Sequence, residues 1–151
     1  MSRFQDLDDL RTRLAEVVAT PHETCGRWTA AQIFYHLAGA FEGSVDGLPP
    51  GYNLLARMVL RPFRILVTRV RFPAWIPIPR AIAAKLDPPP DVTLEQQYPR
   101  LLSAIERFEQ HAGPHPPHPI LGAFSHAQWT GFHLRHSEHH LRFVRLRPPR
   151  A

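Results

Sequence analysis

Cysteine is almost absent from this chain of 151 residues, which carries a single thiol at Cys25. One cysteine cannot form an internal disulfide, so the chain does not belong to the disulfide-stabilised secreted domains. Residues 1–14 alternate charged and apolar side chains and lack the apolar core of a signal peptide. These absences predict a cytoplasmic protein.

Long apolar runs are also missing. Arginine interrupts every stretch that approaches the ~20 apolar residues of a membrane-spanning helix, so we expect no membrane span. The length is that of one domain with a core of its own, and we expect a single domain over residues 1–151.

Acidic residues are absent between Gly47 and Leu86, within a chain of net charge +5. The same stretch contains seven basic residues: Arg57, Arg61, Arg64, Arg69, Arg71, Arg80 and Lys85. One interpretation is a docking surface for phosphate, nucleic acid or lipid headgroups. The other is a solvated basic face over an apolar underside. We favour the second and expect no nucleic-acid partner, because no recognised nucleic-acid module is present.

Proline marks where helices stop. Prolines concentrate at 49–50, 73–90, 114–119 and 148–149, and the windows between them are long enough for helices. Three windows show an apolar period of 3.6 residues. The residues on the apolar stripe are, in the first window, Phe4, Leu7, Leu10, Leu14 and Val17; in the second, Ile33, Leu37, Ala40 and Ser44; and in the third, Leu94, Tyr98, Leu101, Ile105 and Phe108.

Capping boxes predict where the helices begin. A Ser or Thr precedes a Gln by three residues in four places: Ser2/Gln5, Thr29/Gln32, Thr93/Gln96 and Ser125/Gln128. Pro99 removes an internal hydrogen bond from the third helix and predicts a kink there, or a start nearer Tyr98. Residues 51–71 predict a helix interrupted at Pro62, and no segment reads as a strand. The predicted fold class is all-α, a four-helix bundle with a basic, proline-rich crossover insertion between helices two and three.

Histidine, by contrast, is abundant, with ten in the chain. In a last helix of 3.6 residues per turn, His133, His136 and His140 share the apolar side with Trp129. The opposite side carries Arg135, Glu138, Arg142 and Arg145. An unpaired buried polar group costs about 1–3 kcal/mol, so a row of three imidazoles needs partners. A divalent metal ion is the simplest one.

The spacing of His136 and His140 aims two ring nitrogens at one point beside the helix. His36, within the second helix, is the candidate third ligand. Small residues follow on its side and would leave room for a substrate: Gly39, Ala40 and Gly43. Three neutral histidines leave a coordination position open, as in catalytic sites. Imidazole suits zinc, nickel, copper or iron; zinc and nickel come first, with iron as a further candidate.

Other side chains near this face receive lesser roles. His133 and His139 are candidates for groups that contact a ligand or assist proton transfer. Four histidines in connections are expected to be exposed (His22, His111, His115 and His118), and His126 is expected to be structural. Cys25 lies in a predicted loop without a CxxC partner, and no function is expected for it. Glu138 points away from the histidine stripe and is a poor general-base candidate.

Two blocks of the sequence resemble a known family. RWTAAQIFYHLAGAFEGSVDGLP and HPILGAFSHAQWTGFHLRHSEHHLRFV are similar to the DinB/YfiT-like superfamily of metalloenzymes. The closer likeness is to its uncharacterised bacterial branch with a W-x3-Q-x3-H helix and an HP-x2-G…W-x2-FH-x2-H-x2-HH ending. The resemblance implies a four-helix bundle that holds a metal through His36, His136 and His140. Phe143 stands where that branch commonly has Gln, so this chain lacks that polar group.

The resemblance also implies a chemistry. Characterised members of that superfamily join a low-molecular-weight thiol to a substrate, or isomerise one with thiol assistance, at a metal held by three histidines. The expected function is therefore activation of a small-molecule thiol or water for transfer or hydrolysis, and homodimers are common in that family. Two alternatives stay open. One is a non-catalytic metal-binding or sensing bundle, with His133 or His139 as fourth ligand; the other is the basic docking module over Arg57 to Lys85.

Overall fold

The structure is a computed structural model that describes residues 3–49, 68–69, 84 and 86–147. Its elements follow in the order α1 (Leu7–Ala19), β1 (His22–Thr24), α2 (Ala30–Asp46), α3 (Leu94–Glu109), α4 (His126–Leu141) and β2 (Val144–Leu146). The mostly helical architecture agrees with the predicted bundle. The predicted helix over 51–71 and most of the crossover insertion lie outside the described residues. Among the helices described, none combines the length and apolar character that crossing a membrane demands.

The two strands correct the expectation that no segment forms a strand. β1 and β2 pair antiparallel, with Glu23 opposite Arg145 and Thr24 opposite Val144. The pairing continues through the backbone N–H of Cys25, which donates to the carbonyl of Phe143 at 2.9 Å. Each strand has only three residues, too few to show the alternation by which a strand is recognised in a sequence. The pair fastens the end of α4 to the connection between α1 and α2.

Three of the four predicted helix starts are confirmed. Thr29 and Ser125 form complete capping boxes with the glutamines three residues later, and the Thr93 side chain accepts from the backbone of Gln96.

The start predicted at Ser2 and Gln5 is wrong. α1 begins at Leu7, and the carboxylate of Asp6 caps it by accepting from the backbone N–H of Asp9 at 2.9 Å. Asp is as good a cap as Ser, and here Asp6 takes that position. Pro99 lies inside α3, and the alternative start near Tyr98 is also wrong.

The apolar stripes predicted from the sequence form the core. Leu10 and Leu14 of α1 are fully buried, as are Leu101 and Ile105 of α3. α2 makes its most extensive contact with α3, while α1 packs against both α3 and α4. α2 therefore lies with one side on α3 and another turned toward α4, which is where its histidine lies.

The side of α4 that faces away from its histidines is buried too. Arg135 and Glu138, predicted to lie opposite the histidine stripe, are only 4% and 0% exposed. They form an ion pair at 2.8 Å, and Glu138 Oε1 accepts from the backbone N–H of Phe4 at 2.6 Å. Arg135 in turn donates to the carbonyl of Phe4. The segment before α1 covers this pair.

The burial of Arg135 and Glu138 predicts that replacing Glu138 lowers the free energy of unfolding. Glu138→Ala would leave the Arg135 guanidinium without its carboxylate and the Phe4 N–H without its acceptor. Removing one partner of a buried ion pair typically costs about 3–5 kcal/mol, and we expect a loss of that size in urea unfolding. The control is Glu23→Ala, which breaks an exposed pair with Arg147 and should cost less than about 1 kcal/mol. Equal losses in both variants would contradict this account.

Candidate metal centre

His36 lies two turns into α2, where its ring is 2% exposed. Its Nδ1 is 3.1 Å from the carbonyl oxygen of Leu86. A carbonyl oxygen can only accept, so Nδ1 carries the hydrogen and Nε2 presents a lone pair. A histidine oriented in this way by a carbonyl is a common feature of metal sites.

The three predicted ligands meet at their Nε2 atoms. His136 Nε2 lies 3.2 Å from that of His36 and 3.0 Å from that of His140. One ligand atom from each of the three histidines lies within 4.8 Å of both others, so the group could hold a metal ion. Two nitrogens bound about 2.1 Å from one ion are about 3.0–3.4 Å apart at bond angles of about 90–109°. The two separations measured from His136 fit that geometry.

Aromatic rings enclose the three imidazoles. The indole of Trp28 stacks on His140, with ring centroids 5.5 Å apart and an interplanar angle of 17°, and lies 4.8 Å from His36. Phe132 lies one turn before His136, with its ring 5.5 Å away. His136 and His140 stay partly exposed. The group is therefore walled by apolar surface but not closed.

Burial keeps the imidazoles of this group neutral. Desolvation by burial lowers the pKa of His36 to about 4, outweighing the hydrogen bond to Leu86. Burial, followed by the nearby His36, lowers the pKa of His140 to about 2. Burial also lowers the pKa of His136 well below its usual value. Metals bind neutral imidazole, so the ligands are in the required form at neutral pH.

His133 and His139 do not join the converging group in the described part of the chain. Ser44 Oγ donates to the carbonyl of Phe41 at 2.6 Å and accepts from Nε2 of His133 at 3.0 Å. His133 also stacks on the Phe41 ring at 3.9 Å, so it is held within the core. His139 packs its ring 4.9 Å from that of His140, at the edge of the site.

The small residues beyond His36 do not open a substrate chamber as expected. A Cβ placed on Gly39 would lie 2.9 Å from the Leu86 side chain, and one on Gly43 would lie 2.6 Å from Leu48. Both glycines thus admit leucine side chains against α2. Ala40 is buried. Among the three converging histidines, His136 and His140 are the partly exposed ones.

His118 corrects another expectation, because it is buried rather than exposed. Its Nδ1 accepts the backbone N–H groups of Ile120 and Leu121, both at 3.2 Å. The prolines around it suggested an exposed connection, but residues 119–121 form a turn and the His118 ring packs against Trp129 and Phe132 of α4. Cys25 is exposed, as a loop position predicts, and its thiol donates to the carbonyl of Phe143 at 3.4 Å.

Residues 2–147 match the model of a family described as "Protein of unknown function (DUF1569)". The chain belongs to the DUF1569 family. The match includes the three converging histidines and every described helix and strand. No curated protein and no solved structure matches the chain. The description of DUF1569 names no activity.

The first prediction at this site concerns metal content. His36→Ala, His136→Ala and His140→Ala each remove one of three converging nitrogens and should lower bound metal at least tenfold after desalting. His22→Ala is the matched control, since its ring lies outside the converging group and bonds the nearby carbonyl of Thr20. Elemental analysis of untagged protein makes the comparison. Equal metal content in all variants would show that the histidines do not share an ion.

The second prediction concerns acid stability and uses His118. Burial lowers its pKa to about 3 in the folded chain, against 6.5 for an ordinary histidine. The unfolded chain therefore binds more protons between these values, and stability falls as pH drops from about 6.5 toward 3. His118→Asn cannot take up that proton. Its free energy of unfolding should depend less steeply on pH, by up to about one proton. An unchanged slope, measured beside His22→Asn, would contradict the burial argument.

Proposed function

We propose that this DUF1569 chain is a metal-dependent enzyme that activates a small-molecule thiol or water for group transfer or hydrolysis. The observation that carries the proposal is the convergence of three imidazole nitrogens, with no fourth side-chain ligand in the described residues. A three-histidine set leaves room for an exchangeable ligand, which is the arrangement of catalytic rather than structural sites.

An ion bound there would supply Lewis acidity, lowering the pKa of a thiol or water so that it is nucleophilic at neutral pH. The protein's own part is positional. Leu86 fixes the tautomer of His36 and the aim of its Nε2. Trp28 and Phe132 exclude water from two sides, which strengthens electrostatic interactions at the centre. His139, partly exposed beside His140, is the side chain we assign to carrying a proton to or from the site.

The resemblance to the DinB/YfiT-like superfamily supports a thiol as the activated group and zinc or nickel as the ion. The exposed thiol of Cys25 donates a hydrogen bond to the carbonyl of Phe143. Cys25 is not part of the group formed by His36, His136 and His140. We therefore propose that the thiol arrives as a small-molecule cosubstrate. A sensing or purely structural role would need a closed set of ligands, and His133 is committed to Ser44. The basic stretch from Arg57 to Lys85 lies largely outside the described residues.

Cobalt substitution tests the proposal without knowledge of the substrate. In the Co²⁺-loaded chain, a low-molecular-weight thiol should produce a thiolate-to-cobalt charge-transfer band in the near ultraviolet, because an open position accepts sulfur. His136→Ala should lose both the cobalt and the band, and His22→Ala should keep both. A cobalt spectrum that neither thiols nor small anions perturb would indicate a closed site and contradict the proposal.

A further inference from the structure

A second group of histidines lies at the other end of α2 and is not used by the proposed function. His115 and His126 face each other with Nε2 and Nδ1 3.0 Å apart. The ring of His111 lies 4.6 Å from that of His115, and its buried Nε2 has no hydrogen-bond partner among the described residues. Phe108 of α3 stacks under His126 at 4.6 Å.

A backbone carbonyl orients the ring of His115, as another orients the ring of His36. Its Nδ1 lies 2.9 Å from the carbonyl oxygen of Ser44, which can only accept. Nδ1 therefore carries the hydrogen, and Nε2 presents its lone pair to His126. His126 makes this contact by donating its Nδ1 hydrogen to His115. A cation in that place would bind both nitrogens without breaking the bond to Ser44.

We propose that His115 and His126 form a second binding site for a divalent transition metal ion, with His111 beside it. Their 3.0 Å separation equals the spacing of the His136 and His140 nitrogens in the first group. It suits two ligands in adjacent positions around an ion such as Ni²⁺ or Cu²⁺, which prefer imidazole. His126 is exposed, so solvent can complete the coordination and the ion can exchange.

The two sites are separate. Ser44 follows His36 by eight residues along α2, and His136 follows His126 by ten along α4, which is about 12 and 15 Å of helix rise. No ligand is shared. The second site binds through two side chains rather than three, so its affinity is the lower of the two and it exchanges faster. The inference does not rest on the proposed function, because it uses different residues.

The test is a Ni²⁺ titration of the full chain by calorimetry, followed by elemental analysis. The wild-type chain should bind two equivalents, and His126→Ala and His36→Ala one each. The double variant should bind none, while His22→Ala keeps two. The His126 side chain is exposed and takes no part in the Ser125/Gln128 capping box, so its replacement should not disturb folding. Amide signals around residues 111–115 and 126 should broaden with Ni²⁺ in the His36→Ala chain and stay sharp once His126 is also replaced.

Binding of a single equivalent by the wild-type chain that His126→Ala leaves intact would overturn the inference. So would two equivalents retained in His126→Ala. If the wild-type chain binds one equivalent that His126→Ala removes and His36→Ala does not, the second site stands and the proposed function falls.

Discussion

The hydrogen bond from His36 to the carbonyl of Leu86 is the constraint on which the candidate site depends. It holds a ring that is 2% exposed in one tautomer and turns its remaining nitrogen toward α4. Without it, Nε2 could carry the hydrogen and would face the other two imidazoles as a donor. A backbone acceptor also serves better than a carboxylate here, because it adds no charge that would raise the pKa of a buried histidine.

α4 meets this constraint because it is held on both sides. One side presents His136 and His140 to α2, and the other carries the Arg135–Glu138 pair that binds the main chain at Phe4. The β-pair fastens the residues just after the helix. These contacts hold the side of α4 that faces away from α2. The opposite side can therefore place the ring nitrogens of His136 and His140 beside His36 of α2.

Much of the fold could be predicted from the sequence, because the apolar period and the capping residues are local signals. The three-residue strands could not, since strands that short have no pattern. The burial of Arg135, Glu138 and His118 was also missed. Arg135 and Glu138 can be buried because the main chain of Phe4, far away in the sequence, pairs with their polar groups. His118 can be buried because the backbone of the turn that follows it supplies its hydrogen bonds. Such partners leave no local pattern in the sequence. The convergence of His36 with the α4 pair followed from spacing and face. The role of Leu86 in orienting His36 could not be predicted, because Leu86 contributes a backbone carbonyl oxygen, which any residue has.

X-ray absorption spectroscopy of the metal-loaded chain tests the central claim most directly. The account predicts three imidazole nitrogens at about 2.0–2.1 Å for zinc, together with at least one non-histidine light atom that a thiol replaces with sulfur at about 2.3 Å. A site with four imidazoles, or one with no imidazole scattering, would contradict it.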